Sequence, residues 1–107
     1  MSQLSPLELK DQLDSEHPPH LLDVREDFEH AIVSLPGACL IPLGQIAERY
    51  AEIESWKKDP IVVYCHHGIR SQHAIGFLSS VGFEQLSNLQ SGIDGFAANA
   101  DPSLPRY

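Results

Sequence analysis

Pro60-Ile61-Val62-Val63-Tyr64-Cys65-His66-His67-Gly68-Ile69-Arg70-Ser71 is the stretch that decides how this chain folds. Four apolar residues in a row, mostly β-favouring, follow a proline and read as a strand. Their lack of alternation points to burial on both faces, as in a parallel sheet covered by helices. Beyond the stretch, Ala74, Phe77, Leu78 and Val81 share one helical face. Ser71 reads as the N-cap of that helix and Gly82 as the residue that ends it. Cys65 to Arg70 must therefore curl tightly between a strand end and a helix start. In open parallel sheets ligands bind just there, beyond the carboxyl ends of the strands.

Outward from this centre, Ser5-Pro6-Leu7-Glu8 has the form of a capping box, with Pro6 in the first helical position. Leu4 and Leu9 have the spacing of a hydrophobic staple, Leu13 continues the buried stripe, and Pro18-Pro19 stops the helix. His20-Leu21-Leu22-Asp23-Val24 reads as a strand and Glu26 to Ala31 as one or two helical turns. Pro36-Gly37 turns the chain into a strand over Ala38 to Ile41. Leu43, Ile46, Ala47 and Tyr50 mark a further helix. A last strand near Leu86 to Leu89 and a short helix near Ile93 to Ala98 complete the set, and the proline-punctuated tail from Asp101 to Tyr107 reads as extended. Strands alternate with helices, which predicts an α/β fold with an open sheet and helices on both faces. At 107 residues the chain is expected to form one domain over 1–107.

Composition narrows the function. Seven Lys and Arg against 15 Asp and Glu give a net charge of −8. A nucleic-acid partner is not expected, because phosphate binding needs clustered cations. The N-terminus has neither the basic start nor the apolar run of a signal peptide. No stretch approaches the roughly 18 apolar residues of a membrane span, so no membrane partner is expected either. Cys39 and Cys65 lack pair-like spacing and read as free thiols in a reducing cytoplasm. Cys39, inside an apolar strand, reads as a packing residue.

Cys65 stands in a different context. A six-residue curl turns successive N–H groups inward and forms an anion-binding nest, with a helix N-terminus behind it. Gly68 supplies the backbone freedom for the curl. A thiol centred there has its thiolate stabilised, with a pKa falling from about 8.5 toward neutrality or below. Cys65 is thus the candidate nucleophile, and His66, His67, Gly68, Ile69, Arg70 and Ser71 are the candidate donor-binding wall. Arg70 suits an oxyanion through its guanidinium. His66 and His67 admit two readings, either raising positive potential and relaying protons or contributing only their amides. His73 reads as a bystander. Adjacent histidines point apart and no second ligand pair has zinc spacing, so no metal is expected, and no cofactor. Asp23, Arg25 and Glu26 read as a charged network at a strand end, outside the catalytic set.

Five segments carry a family resemblance: Leu22-Asp23-Val24-Arg25-Glu26; Leu35-Pro36-Gly37-Ala38 with Ile41-Pro42; Cys65 to Ser71; Gly82-Phe83; and Leu89-Gln90-Ser91-Gly92-Ile93. In this order they resemble the signatures of the rhodanese family, from about Leu4 to the C-terminus. Val33-Ser34 departs from the usual Gly-His, and Phe96 from the usual Trp; both read as packing positions. The resemblance implies a doubly wound, mostly parallel sheet of about five strands. It also implies a sulfurtransferase in which Cys65 takes sulfane sulfur from thiosulfate or a persulfide donor, and a thiol or cyanide acceptor then removes it. Related dual-specificity phosphatases have five residues between Cys and Arg. Here there are four, His66 to Ile69, which favours sulfur over phosphate. The tail is similar to those of rhodanese domains fused to adenylyltransferases, which implies a protein sulfur acceptor in cofactor or tRNA sulfuration as an alternative. A non-catalytic interaction module is the alternative of another class, and the intact Cys65 loop speaks against it.

Overall fold

The apolar run before Cys65 forms the central strand of a five-stranded sheet in the computed structural model, which describes residues 2–107. The strands are β1 (Ser2–Leu4), β2 (His20–Asp23), β3 (Cys39–Leu40), β4 (Pro60–Tyr64) and β5 (Gln85–Leu89). They lie in the order β1-β5-β4-β2-β3, and all four pairings are parallel. A parallel neighbour requires a crossover, and the helices supply it. These are α1 (Pro6–Leu13), α2 (Asp27–Ile32), α3 (Ile46–Arg49), α4 (Arg70–Ser80) and α5 (Gly92–Asn99). The expected α/β sheet with helices on both faces is the observed fold.

Alternation along β4 divides the core in two. Ile61, Val63 and Cys65 face one layer with Leu22, Val24 and the α4 residues Ala74, Ile75 and Leu78. Val62 and Tyr64 face the other, with Leu9 of α1 and with Ile93 and Phe96 of α5. Every residue from Ile61 to Cys65 is buried, as expected for a strand sandwiched between helical layers. The two departures from the family pattern, Val33 and Phe96, are buried in the second layer.

At the N-terminus Ser5 Oγ accepts from Glu8 N–H at 3.1 Å, and Glu8 Oε1 accepts from Ser5 N–H at 3.0 Å. The capping box is thus formed as read.

The structure corrects three expectations and adds one edge strand. Leu4 belongs to a strand, pairing with Leu89 at the sheet edge; three residues are too few to display an alternation. The helix expected from Leu43 is a chain of tight turns, 3-10 over Leu43–Gln45, α3, then 3-10 over Tyr50–Trp56 with a kink at Ile53. A 3-10 turn aligns residues three apart, and Tyr50, Ile53 and Trp56 all pack on the first layer while Ala47 is exposed. Ser71 is not the N-cap of α4. Ile69 occupies that position without a side-chain cap, and the Ser71 hydroxyl is engaged elsewhere. The tail does not run free: Leu104 packs on the second layer, and Tyr107 returns over the loop after β4. Among the described residues, no helix is long and apolar enough to cross a membrane.

Candidate active site

Cys65 leaves β4 at the carboxyl edge of the sheet and is 1% exposed. The loop that follows is shaped from behind by α5. Ile93 N–H donates to Cys65 O at 2.9 Å and Asp94 N–H to His66 O at 3.1 Å. These first-turn donors of α5 have no partner within their own helix. By drawing the loop carbonyls outward they leave the N–H groups of the following peptides to face the sulfur. Gly92 makes this approach possible: a Cβ at its φ of +62 would lie 2.3 Å from His66 O. Gly68, at φ +100, closes the curl.

Gly68 N–H donates to Cys65 Sγ at 3.1 Å, and Ser71 Oγ lies 3.5 Å from the sulfur. Burial pushes the Cys65 thiol up. The N–H groups of Ser71, Gly68 and His67 oppose it, and the thiol is held below its ordinary value. Asn88 of β5 braces this arrangement. Its Oδ1 accepts a short hydrogen bond from Ser71, and its amide donates to Gly68 O at 3.3 Å and to Gln3 Oε1 at 3.0 Å. Nothing in the sequence around Asn88 announces this role; only the pairing of β4 with β5 sets it behind the loop.

The remaining candidate residues are arranged as follows. Arg70 is clamped by Glu29 of α2, with Nη1 to Oε1 at 2.6 Å and Nη2 to Oε2 at 2.9 Å. His66 is stacked between His67, centroids 4.0 Å apart, and Tyr107, 3.9 Å apart with nearly parallel rings, so the adjacent histidines do not point apart as expected. Its Nε2 is buried without a hydrogen-bond partner. Burial, and after it the neighbouring His67, depress the His66 pKa. His67 is exposed, 3.7 Å from Asp94. Ile69 is 63% exposed at the outer rim. His73 lies exposed on α4, and Cys39 packs partly buried on the first layer. Among the described residues, no three His, Cys, Asp or Glu side chains converge as a metal site would require.

Two residues outside the expected set complete the surroundings. Glu29 is 5% exposed and its carboxylate accepts four hydrogen bonds. Besides the two from Arg70, one comes from Glu26 N–H at 3.1 Å and one from Tyr107 Oη at 2.7 Å. Arg70 above all, against the opposing effect of burial and helped by Tyr107 and Glu26, brings the Glu29 pKa down to about 2. Tyr107 Oη in turn accepts from Arg25 Nη1 at 2.8 Å. Arg25 is fully buried and held by Asp23 at 2.7 and 2.9 Å, and Asp23 also meets His30 Nδ1 at 2.8 Å. The charged network expected of Asp23 and Arg25 is present. Glu26 contributes to it only through its backbone. Neither the polar helical turn around Glu29 nor the tail around Tyr107 announces these roles in the sequence.

Comparison with known proteins agrees with this architecture. The rhodanese-like domain model matches residues 5–99. The Arabidopsis thaliana protein named adenylyltransferase and sulfurtransferase MOCS3 is 32% identical over 120 residues, covering 99% of this chain and 26% of that protein. The Mycobacterium tuberculosis protein named probable adenylyltransferase/sulfurtransferase MoeZ is 35% identical over 106 residues, covering 99% and 27%. This chain thus spans about a quarter of the length of those relatives. A crystal structure of a rhodanese-like domain protein from Staphylococcus aureus superposes with a TM-score of 0.85 at 27% identity, covering 100% of this chain and 99% of that one. Sheet order, loop and sequence all lead to one assignment: the chain belongs to the rhodanese-like domain family.

Proposed function

We propose that this chain is a sulfurtransferase that moves sulfane sulfur from a small donor to a thiol or cyanide acceptor through a persulfide on Cys65. The observation that carries the reading is the Gly68 N–H donating to Cys65 Sγ at 3.1 Å inside a loop whose carbonyls are drawn outward. Donors fixed at the sulfur stabilise negative charge there without reorganising during the reaction. In the first step the Cys65 thiolate attacks the outer sulfur of the donor. The S–S bond of the donor breaks, its electron pair leaves with sulfite or the equivalent remnant, and Cys65 carries a persulfide anion. In the second step an acceptor thiolate or cyanide attacks the outer sulfur, and Cys65 departs as thiolate. The outer sulfur of a persulfide projects about 2 Å beyond Sγ, which brings it toward the rim from a residue that is itself only 1% exposed. His66, His67, Gly68, Ile69, Arg70 and Ser71 line the donor site, most of them through their backbone. Arg70 fixes the loop against α2.

A protein acceptor is the second reading. Ile69, 63% exposed beside the reactive loop, favours it, as do relatives whose names join adenylyltransferase to sulfurtransferase.

Mass spectrometry of the intact chain after incubation with a sulfane donor tests the proposal. One added sulfur atom is expected on the parent and on Cys39→Ser, and none on Cys65→Ser. Sulfur retained by Cys65→Ser would refute the assignment of the nucleophile.

A further inference from the structure

Every guanidinium around the reactive loop already has a carboxylate of its own. Arg25 is held by Asp23 at 2.7 Å, Arg106 by Asp94 at 2.9 Å, and Arg70 by Glu29 at 2.6 Å. Arg70 is the one Lys or Arg in the loop from Cys65 to Ser71. Its planar fork is matched by both Glu29 oxygens, which leaves other N–H groups free to hydrogen-bond but cancels the charge. The surroundings of His66 disfavour its cation, since its ring is packed between two others with an unpartnered Nε2. The chain as a whole carries a net charge of −8. The amide nest can therefore hold a monoanionic sulfur at Cys65, while among the described residues no guanidinium beside the loop is left uncancelled to attract a second negative charge on the donor, and exposed His67 lies 3.7 Å from the Asp94 carboxylate.

We infer that Glu29 determines donor specificity, by neutralising Arg70 so that the site prefers monoanionic sulfane donors of the thiosulfonate type over the dianion thiosulfate. This rests on the sulfur-transfer reading of Cys65 and goes beyond it in naming the donor's charge. Both donors react by the same balanced step. The Cys65 thiolate takes the terminal sulfur and becomes a persulfide anion, while thiosulfate releases sulfite and methanethiosulfonate releases methanesulfinate. The two donors differ chiefly in that a methyl group replaces one charged oxygen. Glu29 is a positioning and charge-setting residue, since it reaches the donor only through Arg70.

The test compares kcat/KM for thiosulfate and methanethiosulfonate in the full chain. Glu29→Gln leaves Arg70 with an uncancelled charge. One unit of charge at a partly solvated rim changes the rate by about fivefold for each unit of donor charge. The thiosulfate-to-methanethiosulfonate ratio should therefore rise about fivefold in Glu29→Gln. It should return to the parent value in Glu29→Gln/Arg70→Gln, whatever the absolute rates, and stay there in Glu29→Asp. A purely structural role for Glu29 would lower both rates and leave the ratio fixed. That result, in a variant shown to be folded by circular dichroism, overturns the inference. Alkylation of Cys65 by iodoacetate relative to iodoacetamide reads the same field without turnover, and this ratio should also rise about fivefold in Glu29→Gln. Should Cys65 accept sulfur from neither donor while the alkylation ratio still shifts, the transfer reading falls and the control of charge at Cys65 by Glu29 stands.

Discussion

Replacing Gly92 by alanine should unfold this chain far more readily than the same replacement at Gly76, although both glycines lie in helices. At Gly92 the added Cβ would meet His66 O at 2.3 Å, its carbonyl carbon at 2.4 Å and Cys65 O at 2.6 Å. These are backbone atoms with no side-chain freedom to yield. Ordinary contact requires the loop to retreat by about 1 Å, which lengthens the bonds from Ile93 N–H to Cys65 O and from Asp94 N–H to His66 O. Losing two such bonds costs about 2 kcal/mol, and a left-handed φ of +62 adds about 1 kcal/mol for a residue with a Cβ. The expected loss is thus about 3 kcal/mol. At Gly76 the added Cβ meets nothing within 4 Å, so alanine's helix propensity acts alone and stabilises by about 0.5–1 kcal/mol. Denaturant midpoints at constant m-value measure both changes. The pH profile of iodoacetamide alkylation reports the sulfur, whose titration should move upward in Gly92→Ala as the amides withdraw. If Gly92→Ala unfolds within 0.5 kcal/mol of the parent and its Cys65 titrates unchanged, α5 does not shape the loop and the account of the nest is wrong.

Two further outcomes follow from the same geometry. The Ser71 hydroxyl donates its one proton to Asn88 Oδ1, and Asn88 in turn holds Gly68 O, so Ser71→Ala should loosen the amides around Cys65, move the alkylation profile to higher pH and slow the reaction at neutral pH, since the thiolate is the reacting form. It should also cost about 1–2 kcal/mol by leaving the buried Asn88 Oδ1 without its donor; an unchanged profile would remove Ser71 from the site. Asp23→Asn leaves the fully buried Arg25 without its counter-charge and should cost about 3–5 kcal/mol in chemical denaturation, whereas a loss below 1 kcal/mol would mean that Tyr107 and the backbone carbonyls suffice.

The fold class and the tight curl after β4 were legible in the chain because each depends on local chemistry. A short unbroken run of mostly β-favouring residues after a proline reads as a strand covered on both faces, and a cysteine followed within six residues by a helix must sit in a tight curl. The capping box at Ser5 and the apolar face of α4 are likewise set by neighbours in sequence. The edge strand Ser2–Leu4 was not legible, because three residues define no period and the partner that makes them a strand lies 85 residues away. Tertiary structure alone assigned Ser71 to the sulfur and to Asn88 instead of a helix cap. It also set Glu29 across the sheet edge from Arg70, 41 residues apart in the chain, and folded Tyr107 back onto both Glu29 and His66. The reason is one of range. Backbone geometry and hydrophobic period are written over a few consecutive residues, whereas the partner of a buried charge depends on which strand ends adjoin, and only the parallel order of the sheet decides that.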